Sequence, residues 1–154
     1  MSKIQVTNIN DLSDNASLVT QNGGIKTDKL TGKTTAGSIL VTGEGNSTTT
    51  NLQQGLAKAW VKFTQVGTHT AADSFNLTSL TDNGTGNSTV TIANDLANAN
   101  GPISVTSDNG SNFNNGAMGR MTAAGTASVR CSATTSAAGS DKANTQAIFF
   151  GDLA

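Results

Sequence analysis

The chain has almost none of the residues that usually fill a core or run a reaction. It contains no tyrosine, one tryptophan and five phenylalanines in 154 residues. A chain of this size has to bury about two thirds of its surface, and large side chains supply most of what can be buried. The shortage points to association, which buries apolar surface between copies. A single cysteine, Cys131, excludes an intrachain disulfide. Its setting, Ser128-Val129-Arg130-Cys131-Ser132, alternates like a strand and assigns it as a small apolar filler rather than a reactive thiol. His69 is the only imidazole, in Gly67-Thr68-His69-Thr70, and reads as a surface residue in a Thr-rich loop. Charge is also scarce, at 12% of residues with a net charge of −1. Phosphate binding needs clustered Lys and Arg. The one loose basic group, Lys26, Lys29 and Lys33, has Asp28 inside it and reads as a solvated face, so nucleic acid is not an expected partner. The start MSKIQV has no long apolar run, so neither a signal peptide nor a membrane partner is expected, and synthesis in a bacterial cytoplasm fits.

What is abundant is Gly, Ser, Thr and Asn, which together supply roughly half the chain, well above ordinary usage. A disordered chain of this polarity would usually carry far more charge. Thr-rich alternation broken by Gly and Asn favours short strands and turns. Ile4 and Val6 alternate with polar neighbours and suggest a first strand. From 25 to 45 the apolar points are Ile25, Leu30 and Ile39-Leu40-Val41, interrupted by Gly32, Gly37 and Gly43. Strands this thin suit a stalk or an anchoring segment better than a free-standing sheet. A short helix is predicted over 51–59, capped by Thr50 or Asn51, with Leu52, Leu56 and Ala59 on one face. Gly55 weakens it by about 1 kcal/mol relative to Ala, so it needs a large neighbour, and Trp60 is the only indole. From Trp60 the period becomes two, with Trp60 and Lys62 on one side and Val61 and Phe63 on the other. Further strands are predicted at 75–80, 89–92, 103–106, 126–132 and 146–150, with Asn-Gly turns at 22, 83, 100, 109 and 115.

Motifs with chemical meaning are incomplete. Thr31-Gly32-Lys33-Thr34 resembles the end of a phosphate loop, but Thr27 occupies the position of the required first glycine. Asp108-Asn109-Gly110-Ser111-Asn112 offers oxygen ligands, yet Gly110 and Phe113 stand where a calcium loop needs a ligand and a glycine. No spacing singles out a carboxylate pair for glycoside cleavage. Asn46-Ser47-Thr48 and Asn87-Ser88-Thr89 match the glycosylation pattern, as chance allows in an Asn- and Thr-rich chain. No catalytic, cofactor-binding or metal residue is assigned.

Three segments carry a resemblance. GLAKAWVKF at 55–63, DSFNLTSLTDNGTGNSTVTI at 73–92 and AIFFGDL at 147–153 resemble small β-rich modules at the ends of tail-fibre and other virion structural proteins of bacteriophages, many of them marine. In that family the corresponding stretches read like AKAWVNF, DSFNVSSITDNGTG and VxVFGDL. KTDKLTGKTTAGSILV at 26–41 is similar to the stretch that often precedes the module. The resemblance implies a non-enzymatic virion structural protein, usually homotrimeric, partnered by other tail or capsid proteins. A tail fibre or tail appendage is the first expectation. A capsid decoration protein or head fibre, and an adhesin binding a host surface glycan through the loops at 82–88 and 108–115, are the alternatives. The expected architecture is mainly β: an antiparallel β-sandwich over 60–154, a collar helix over 51–59 and an anchoring or stalk segment over 1–50. Trp60, Phe63, Phe75 and Phe149 are the expected core aromatics.

Overall fold

The structure, a computed structural model, describes residues 29–30, 32, 39–45, 47–109, 116–133 and 138–154. The chain divides into two compact units, Met1–Thr31 and Gly32–Ala154. Of the first, only Lys29 and Leu30 are described, both exposed. The expected strand at Ile4 and Val6, the turn at 22 and the apolar point at Ile25 lie outside the described residues.

Among the described residues the first strands of the second unit form a hairpin, β1 (Leu40–Thr42) against β2 (Thr49–Asn51). Helix α1 is a single turn, Leu52–Gly55. The helix expected over 51–59 is therefore corrected to one turn. Asn51 does cap it, accepting from the amides of Gln53 at 2.8 Å and Gln54 at 3.4 Å. Its C-terminal carbonyls are met by Lys58, whose Nζ donates to the oxygens of Gln53 and, at 3.0 Å, Leu56. Leu56 is exposed and Ala59 already belongs to a strand, so no apolar helix face survives beyond Gly55.

Eight strands follow: β3 (Ala59–Thr64), β4 (Thr70–Phe75), β5 (Leu77–Asp82), β6 (Asn87–Ile92), β7 (Ile103–Asp108), β8 (Gly116–Ala123), β9 (Thr126–Ser132) and β10 (Asn144–Phe149). They form two four-stranded antiparallel sheets, ordered β4-β3-β10-β7 and β5-β6-β9-β8. The protein is an antiparallel β-sandwich. Its core comes from alternate residues of the four central strands: Ala59, Val61 and Phe63 on β3 and Ala147 and Phe149 on β10 meet Val90 and Ile92 on β6 and Ala127, Val129 and Cys131 on β9. Period-two alternation puts one side of each strand inside. Cys131 is buried and free, as its alternating setting predicted.

The strand expected over 75–80 is two strands. Asn76 interrupts it with φ of 58°, a left-handed conformation that Asn tolerates better than most residues. The chain turns there from the first sheet to the second. Strands β4 and β8 were not expected from the sequence. At the other edge the sheets come close, and a Cβ on Gly119 of β8 would lie 2.6 Å from Val105 Cγ2 on β7. By contrast, all six residues of β4 are exposed.

Phe63 and Phe149 are in the core as expected. Trp60 and Phe75 are not. Trp60 alternates with the buried Ala59 and Val61 and so faces outward, half-buried, while Phe75 is 54% exposed.

Candidate functional site

His69 is not a surface residue. It is 8% exposed, at the end of the loop between β3 and β4, and is packed with its ring centroid 6.4 Å from that of Phe63. Its Nδ1 lies 3.2 Å from Ser88 Oγ and its Nε2 lies 3.5 Å from Asp82 Oδ1. Gln65 Nε2 donates to the same Ser88 Oγ at 2.9 Å. A serine, a histidine and an aspartate thus stand in the order required for nucleophilic catalysis. Along the chain His69, Asp82 and Ser88 are 13 and 6 residues apart, with nothing in their spacing to mark them, and only the pairing of two hairpins brings them together.

The arrangement does not make a nucleophile. Ser88 and Gln65 are both fully buried, and an attacking oxygen must reach its substrate. Ser88 Oγ is engaged on both sides, hydrogen-bonded to His69 Nδ1 and accepting from Gln65 Nε2. Asp82 Oδ1 is meanwhile held by the amide of Gly84 at 2.8 Å. At 3.5 Å from His69 Nε2 it lies beyond normal hydrogen-bond length. The network instead ties the loop of one sheet, through Gln65 and His69, to Ser88 on the β5–β6 hairpin of the other, with Asp82 beside it. It is a polar clasp between the sheets.

The outer faces of the sheets are more informative. On the first sheet, register places Phe75, Trp60 and Ile148 side by side on β4, β3 and β10, followed by Ser104 on β7. The next row is Asp73, Lys62, Gln146 and Thr106. A shallow groove runs between Trp60, Lys62, Asp73, Gln146 and Ile148. With Phe75 at 54% and Ile148 at 39% exposure and Trp60 half-buried between them, the row is a contiguous exposed apolar strip.

The outer face of the second sheet is polar. Ser79, Thr81, Thr89, Thr91, Thr126 and Ser128 point outward. Its only charged side chains are Arg120 on β8 and Arg130 on β9, which are also the only arginines in the chain. A groove of about 290 Å³ is lined by Met118, Gly119, Arg120, Ser128 and Arg130. A neighbouring cleft of about 520 Å³ shares Met118 and Arg130 and continues to the turn at Asn83–Asn87.

The other sequence motifs contribute little here. Of the phosphate-loop-like stretch, only Gly32 is described, and Asn112 and Phe113 of the calcium-like loop lie outside the described residues. Asp108 accepts from Asn144 Nδ2 at 3.0 Å, which joins β7 to β10. Asn87 of the second glycosylation match is half-buried on β6, while Asn46 of the first is outside the described residues. Among the described residues no group of three His, Cys, Asp or Glu is placed to hold a metal ion, and no helix is long and apolar enough to cross a membrane.

No protein-family model, no curated protein and no solved structure matches this chain.

Proposed function

We propose that this chain is a non-enzymatic structural subunit of a bacteriophage particle, assembled as a homotrimer in a tail fibre or tail appendage. One observation carries the reading. Each of the three segments that resemble phage virion modules gives one residue to the exposed apolar row of the first sheet, Trp60 from the first, Phe75 from the second and Ile148 from the third, although most of the second segment continues into β5 and β6 of the other sheet. The same segments also supply core residues such as Val61, Phe63, Val90 and Phe149, but the outward row of Phe75, Trp60 and Ile148 is not needed to fill that core, and a contact accounts for it. Three copies, each laying this strip against a neighbour, would supply the burial that the poor aromatic content of one chain does not.

The clasp of Ser88, His69 and Gln65 supports a non-enzymatic role, since its one nucleophile is sealed inside the sandwich. The hydroxyl-rich second sheet stays outside in such an assembly and presents a charge-poor surface. Labelling purified particles with antibody to this chain tests the placement in micrographs. Label on the tail is expected; label over the capsid would replace the tail assignment with a decoration protein or head fibre, and no label would end the virion reading.

A further inference from the structure

We infer that the outer face of the second sheet binds a carboxylate-bearing saccharide through Arg120 and Arg130. The proposal rests on the sandwich alone and not on trimer assembly. Arg120 lies opposite Ser128 on the neighbouring strand, and Arg130 lies opposite Met118, so the two arginines are diagonal neighbours on one face. Such diagonal positions are about 7–8 Å apart, within reach of a single small anion or of two groups on one short oligomer. Both side chains are exposed.

Charge gives the chemical class. In a chain of net charge −1, no acidic side chain occupies the outward positions of β5, β6, β9 or β8. Neither arginine makes an ion pair among the described residues. Two like charges left adjacent and unopposed repel each other, and an anion between them removes that repulsion. The guanidinium fork matches a carboxylate with two parallel hydrogen bonds. The groove between them has Ser128 on one side and the backbone of Gly119 as its floor.

The surroundings favour a saccharide over the other polyanions. Nucleic acid carries one charge per about 1.7 Å of duplex, and a face with two positive groups cannot follow it. An acidic peptide presents no ring hydroxyls to the serine and threonine side chains around the groove. Serine and threonine hydroxyls along β6 and β9, with Asn87 in register with Arg130, both donate and accept, which suits sugar hydroxyls.

The test uses the full-length protein and tri-galacturonic acid, followed by calorimetry or by amide shifts in NMR at low salt. Saturable binding is expected, falling by about tenfold in each of Arg120→Gln and Arg130→Gln, as loss of a charge-assisted hydrogen bond implies. Maltotriose, the uncharged control, should not bind, and a tri-glutamate peptide should bind much more weakly. Both variants remove only exposed side chains, and unchanged circular dichroism will confirm their fold. The proposal is overturned if tri-galacturonate fails to bind, if both variants bind it unchanged, or if maltotriose or tri-glutamate binds as well.

Discussion

Trp60 and Phe75 stand directly opposite each other across the β3–β4 pair, both on the outside of the sandwich. Cross-strand aromatic pairs contribute only about 0.2–1 kcal/mol to a sheet. This pair therefore does little for one subunit, and its value lies in what it can cover.

The phenylalanines should accordingly separate into two groups. Phe63, 1% exposed between the sheets, should cost about 3–5 kcal/mol when replaced by Ala, seen as a large drop in melting temperature. Phe75→Ser should leave the far-ultraviolet circular dichroism intact while weakening association. If Phe75→Ser unfolds the chain at concentrations where the parent is folded, the outer row is part of the subunit's core after all.

Asn76 anchors the corner between the sheets. Its Nδ2 donates to the carbonyls of Lys58 at 3.0 Å and Asn94 at 3.1 Å, and its Oδ1 accepts from the Asn94 amide at 2.7 Å. Asn76→Ala loses these bonds and places a side chain with no local partner at φ of 58°, a combined loss of about 2 kcal/mol or more. Asn76→Gly relieves the backbone but not the lost bonds, and its midpoint in urea should fall between parent and Ala. A glycine variant as unstable as the alanine one would show that backbone strain has no part in the effect.

Ser88 holds two buried groups. Ser88→Ala should destabilise by about 1–3 kcal/mol, because Gln65 Nε2 and His69 Nδ1 lose their partner without reaching water. Thr81→Ala, on the exposed outer face of β5 with its side chain turned away from the clasp, should stay within about 0.5 kcal/mol. Equal, small effects in denaturant melts would mean that the clasp is not formed.

Much of this fold was legible because burial on one side of a strand leaves a period of two. The alternation of Val61 and Phe63 against Trp60 and Lys62, the strand at 126–132 and the turn at Asn83-Gly84 all follow from local chemistry. What was not legible depends on neighbours. Strand β4 has no buried side, so it leaves no hydrophobic alternation to read. Trp60 was expected inside because the predicted short helix needed it as a packing partner, yet parity with Val61 already put it on the opposite face. His69 looked like a loop residue in a polar stretch, and its burial comes from Ser88 and Asp82 of another hairpin. The helix was overextended because Leu56 and Ala59 fit a helical face, while Gly55 and the pull of β3 end it after one turn.

Residues 32–154 form a compact unit of their own, so a chain beginning at Gly32 should keep the melting transition of the parent. Loss of cooperative melting on removal of residues 1–31 would show that the sandwich depends on them.

The account rests on the apolar row of Phe75, Trp60 and Ile148 being covered by other copies. Light scattering behind size exclusion, on the full chain at micromolar concentration and on Trp60→Asp beside it, addresses this most directly. The parent should have three times the 15.5 kDa chain mass, and Trp60→Asp should be a folded monomer. A parent that is itself a stable monomer, or a Trp60→Asp variant that remains trimeric, would contradict it.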